Sequence, residues 1–74
     1  METLKEYVAS QFNIAKDNAD IKEIVTLCKH NAYGAVQFYQ YLMLDTNNFD
    51  SYDKAEKLWE NDYRLRFETL EMGL

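Results

Sequence analysis

A chain of 74 residues holds one domain at most, and at this length folding hides only about 60 % of the surface that the unfolded chain exposes, which argues against most enzyme scaffolds. Thirteen acids against eight bases leave a net charge of −5, a poor basis for direct nucleic-acid or membrane-surface binding, both of which lean on Lys and Arg. With 47 % apolar and 15 % aromatic residues the chain is too apolar for a disordered tail, and with Pro 0 and Gly 2 it lacks the turn chemistry of a many-stranded β fold. The expectation is an all-α single domain over 1–74, a compact bundle of three to four helices with the last the longest. Cys28 is alone and has no internal disulfide partner, which suits a reducing compartment. No apolar run reaches the roughly 18 residues of a membrane span. Glu2, Lys5 and Glu6 interrupt any signal-peptide pattern, so the expected location is the cytoplasm, with no membrane partner.

Thr3 and Glu6 have capping-box spacing and open the first expected helix, whose stripe of Leu4, Val8 and Phe12, with Tyr7 beside it, ends near Asn13. Asp20 and Glu23 repeat the capping spacing ahead of Ile21, Ile24, Val25 and Cys28, predicting a second helix over 21–29, with Asp17 as an alternative cap. Residues 31–44, NAYGAVQFYQYLML, carry no charge at all. Ala32, Ala35, Val36, Tyr39, Leu42 and Met43 share one face there. Tyr33, Gln37, Phe38, Tyr41 and Leu44 stand opposite, so this third helix is apolar or aromatic nearly all round and calls for cover on more than one side. Gly34 costs about 1 kcal/mol relative to Ala inside a helix, which suggests a close backbone approach by a neighbour. The alternative start for this helix is Ala35, with 29–34 irregular.

Residues 45–48 read as a turn. Phe49 precedes Asp50 and Asp53, which begin the fourth and longest helix, and is placed to staple onto its first turn. Ala55, Trp59, Tyr63 and Phe67 follow at four-residue steps, a stripe that drifts slowly round the helix toward a terminator at Gly73. Six acids against two lysines between 45 and 62 make this segment the negative pole, and Asp53, Glu56 and Glu60 share one side of it.

The residues capable of chemistry are few. Cys28 and His30, two apart, point to different sides of a helix and cannot pair as nucleophile and base. Cys28 reads as a small buried hydrophobe and His30 as a residue ending the second helix, where the macrodipole favours a cation and the ring can bond the last carbonyls. One Cys and one His fall short of a zinc ligand set, so no metal or other cofactor is expected, and no catalytic residue is assigned. A helix-turn-helix reading of the second and third helices fails because the recognition helix offers no Arg or Lys. The expected active surface is a partner-binding one: Tyr33, Gln37, Tyr41, Asp50, Tyr52, Asp53, Glu56 and Glu60, tyrosines for stiff contact area and acids to steer a basic partner. Tyr7, Tyr39 and Tyr63 are assigned to the core.

The run KHNAYGAVQFYQYLML followed by FDSYDKAEKLWE, with the acidic 45–62 segment, resembles in style the small acidic helical proteins of bacteriophages and mobile elements, including anti-CRISPR and anti-restriction inhibitors. No diagnostic motif carries the resemblance, and no residue role passes over from it. It implies action by binding and blocking a larger host protein in the host cytoplasm, without enzymatic machinery. The alternative from the residues alone is a self-associating helical structural or regulatory protein, a homodimer through the 31–44 helix.

Overall fold

The computed structural model describes residues 1–73, and every regular element in it is helical. Helix α1 spans Glu2–Asp17 and α2 spans Lys22–Asp45; a last rod is made of α3 (Phe49–Lys57), a π-helical stretch (Leu58–Tyr63) and α4 (Arg64–Glu71). The bundle runs up, down and up. Gln11 meets Asn31 across α1 and α2, Gln40 meets Glu56 across α2 and α3, and Lys22 meets Leu70 at the other end of the rod. The extents of 41 × 17 × 16 Å are those of three helices side by side, their length set by α2.

Several sequence boundaries move, each for a physical reason. The second and third expected helices are one helix, because nothing at Lys29, His30 or Asn31 breaks it and the buried stripe Val25, Cys28, Ala32, Val36 crosses the proposed junction in phase. The alternative start at Ala35 falls with the same observation. His30 therefore lies in mid-helix, away from any macrodipole end. Helix α1 continues past Asn13 to Asp17 because Ala15, fully buried, extends the stripe of Leu4 and Val8 by another turn. Neither capping box forms: Met1 and Ile21 occupy the N-cap positions without side-chain bonds. At the third helix the cap is Asn48, not Asp50; its side chain accepts from the Ser51 N–H at 3.2 Å, just after Asn47 turns the chain at φ 58°. Phe49 stays 61 % exposed, already inside the helix, so it does not serve as a staple. The expected terminator holds at Gly73, whose φ is 77°.

One apolar cluster joins all the rods: Leu4, Val8 and Ala15 from α1; Val25, Cys28, Ala32 and Val36 from α2; Ala55, Leu58, Trp59 and Phe67 from the last rod. Small residues on α2 leave room for the large rings opposite. Phe12 meets Phe67 edge-on at 5.3 Å, Phe67 stacks on Trp59 at 5.7 Å, and Trp59 meets Tyr33 at 5.2 Å, forming a chain of rings from α1 to the far edge of α2. Tyr39 and Tyr63 lie half-buried against this cluster, but Tyr7, assigned to it from sequence, is 41 % exposed. Leu42 is likewise more exposed than expected for the core face, and position 40 is buried in its place.

The π-helical stretch explains how Ala55 and Phe67 can both be fully buried. On an α-helix a four-residue step overshoots one turn by about 40°, so the three steps from Ala55 to Phe67 would rotate Phe67 about 120° out of the core. Here the Arg64 N–H bonds to the Trp59 carbonyl, five residues back. The wider turn takes up one residue and cancels the drift, keeping Trp59 and Phe67 inward. Nothing in the residue pattern marks this stretch as wider than α.

Candidate protein-binding surface

Along the seam that α2 makes with α3 and the π-helical stretch, an exposed edge is braced from below. Gln40, 8 % exposed, donates from Nε2 to Glu56 Oε2 at 2.7 Å and, at a longer 3.4 Å, to the Tyr52 carbonyl oxygen. Its burial is tolerated because both bonds replace those it would make to water. Tyr33 is held against the buried Trp59 ring and shares a cleft of about 240 Å³ with Trp59, Glu60, Arg64, His30, Lys29 and Glu68. Gln37 follows Tyr33 at a four-residue step and lies beside it on this edge of α2, whereas Tyr41, two steps and about 80° on, turns to the outward side of the helix; both are exposed. Of the eight residues expected in the surface, Tyr33, Gln37, Tyr52, Glu56 and Glu60 therefore border one seam, and Tyr41 does not.

Asp50 and Asp53 also stand apart. Asp50 pairs with Lys54 at 3.1 Å and Asp53 with Lys57 at 3.0 Å, and neither is joined to α2 by a hydrogen bond or ion pair among the described residues. Glu60 pairs with Arg64 at 3.3 Å. The side of the rod expected to be acidic thus carries its own cations one turn on, and exposed pairs of this kind contribute only about 0.3–0.5 kcal/mol each. Glu56, which bonds Gln40, is the acid of this group tied to the neighbouring helix.

Gln40 is the residue that sequence reasoning missed. Its signal was present, since the stripe Cys28, Ala32, Val36 reaches position 40 at the next four-residue step. A polar residue at a core position, beside an acidic helix, points to a bonded amide.

A second polar cluster fastens the far end of the bundle. Lys22 Nζ donates to the Leu70 carbonyl at 2.8 Å, while Thr26 Oγ1 and Lys29 Nζ each donate to Glu71 at 2.9 Å. The bond from Lys29 does most to hold the Glu71 carboxyl below the ordinary glutamate range. Burial pushes the Cys28 thiol up, which disfavours the reactive thiolate. Among the described residues no three His, Cys, Asp or Glu side chains gather as a metal site, and no helix is long and apolar enough to cross a membrane.

No family model, curated protein or solved structure matches the chain.

Proposed function

We propose that this chain is a non-enzymatic protein-binding module whose α2–α3 seam docks on a larger, basic protein. The observation that carries the reading is the bracing of an exposed edge: Trp59 fixes Tyr33 from beneath and Gln40 fixes Glu56. Side chains already held in place lose less freedom on binding, and tyrosines with neighbouring acids supply contact area together with charge steering. Taken with the resemblance to small phage and mobile-element proteins, the partner is a host defence protein and the chain its inhibitor, of the anti-CRISPR type, acting in the host cytoplasm by occlusion. The alternative, a self-associating helical protein, draws on the outward side of α2.

Capture from a bacterial lysate followed by mass spectrometry tests the proposal, with the parent run beside a variant carrying Gln37→Arg and Glu60→Lys. Both side chains are exposed, so circular dichroism should match the parent. A basic protein retained by the parent and lost by the variant supports the reading. Equal retention by both moves the binding surface away from the seam.

A further inference from the structure

We infer that the outward side of α2 is a self-association surface on which a second copy of this chain crosses antiparallel, with its closest approach at Gly34. At about 100° per residue, Leu27, Gly34, Phe38 and Tyr41 fall within an arc of about 60°, on the side of α2 away from Val25, Ala32 and Val36. Leu27 is 58 % exposed, Phe38 65 % and Tyr41 69 %. A Cβ built on Gly34 meets nothing within 4 Å in its own chain. The bundle thus gives no internal reason for a glycine in mid-helix, whereas a helix crossing from outside does: without a side chain at the crossing point, two backbones come together and the flanking rings interdigitate.

Three features select a second copy over another occupant. The first is charge. Two molecules of −5 repel wherever their acids face, and the exposed side of residues 31–44 carries no charge to oppose its own image. Glu23 and Asp45 share this side of the helix, but each lies eleven residues from Gly34, about 16 Å along the axis, where helices crossing at about 50° have already diverged. The second is shape. Phe38, Tyr41 and Leu42 crowd the C-terminal half of the face, while Leu27, His30 and Asn31 leave the N-terminal half lean. An antiparallel two-fold lays each heavy half over a lean one and opposes the helix dipoles. The third is extent. Two largely free aromatic rings with the exposed parts of Leu27 and Leu42 and the polar flanks offer on the order of 600–800 Å² per copy, close to what one partner contributes to a standard interface.

This surface is distinct from the seam, so the two proposals fail independently. Sedimentation velocity and light scattering across micromolar concentrations should give twice the chain mass for the parent. Phe38→Asp should weaken the dimer about a hundredfold with helix content unchanged. Gly34→Ala separates interface from fold, since alanine favours the helix and meets nothing in the single chain: it should weaken association about tenfold while dilute protein melts no lower than the parent. Direction is read with a short bis-maleimide, which spans the gap opened by the crossing angle and joins Leu27→Cys to Tyr41→Cys but neither variant to itself. A parent that stays monomeric throughout, a Gly34→Ala protein that associates like the parent, or a Leu27→Cys protein that cross-links to itself as readily as to Tyr41→Cys overturns the inference.

Discussion

Gln40 and Glu56 are joined across the α2–α3 seam by a 2.7 Å hydrogen bond that satisfies a buried amide with an acid from the negative segment. Glu56 therefore has a structural duty that the neighbouring acids lack. Glu56→Lys sets an ammonium against the Gln40 amide donor and should cost about 1–2 kcal/mol. Asp53→Lys, on the exposed side, should stay within about 0.5 kcal/mol of the parent. Urea unfolding of the two variants checks the difference. Equal stability would show that the Gln40 bond contributes nothing net.

Trp59 stacks on Phe67 and supports Tyr33, at 4 % exposure. Trp59→Ala should cost about 3–5 kcal/mol, a large part of the stability open to a chain of this size. Thermal melting should show a much lowered or absent transition; a parental melt contradicts the placement of the ring.

The π-helical stretch takes up one residue, so removing one exposed residue from it should be tolerated. Deletion of Asn61 lets the rod continue as an α-helix with Phe67 eleven residues beyond Ala55, almost a whole number of turns. Cooperative unfolding should persist, with stability within about 1 kcal/mol of the parent. Deleting Lys54, in the regular part of the rod, shifts Ala55, Leu58 and Trp59 against the Asn48 cap and should abolish cooperative melting. If the two deletions behave alike, the wide turn is not what keeps Phe67 inside.

Glu71 is held below the ordinary glutamate range by Lys29 and Thr26, against the opposing effect of burial. A carboxyl whose pKa is lower in the folded than in the unfolded chain stabilises fully above the unfolded value, about 4.3, and loses that contribution as the pH falls through the folded value. Glu71→Gln should therefore melt lower than the parent at neutral pH, by about 1 kcal/mol in stability. The two proteins should converge in acid. A difference that persists unchanged in acid would assign the loss to packing rather than charge.

The helical class, the long final helix, the turn at 45–48 and the buried Trp59 were legible in the sequence because each follows from local pattern: missing proline, four-residue stripes, and a cluster of Asn and Asp. Elements that depend on neighbours were not. A break at Lys29 to Asn31 looked reasonable from composition, but continuous burial of Cys28 and Ala32 decided for one helix. The π-helical stretch answers a phase problem that arises only once Ala55 and Phe67 must both face the same core. In the site, residue types were readable but pairings were not. Tyr33, Gln37, Tyr52, Glu56 and Glu60 border one seam, whereas Tyr41 turns outward and Asp50 and Asp53 are taken up by lysines one turn away. Gln40, hidden within an uncharged run, has meaning only beside Glu56.

In the proposed function the seam binds a basic partner, with charge guiding the approach. Association and dissociation rates of the captured protein, measured for the parent and for Gln37→Arg with Glu60→Lys, test it most directly. Screening shortens from about 10 Å at 0.1 M salt to about 3 Å at 1 M. Added salt and the double substitution should both slow association by at least about tenfold, while Tyr52→Ala should speed dissociation at any salt. An association rate unmoved by salt and by the double substitution would contradict it.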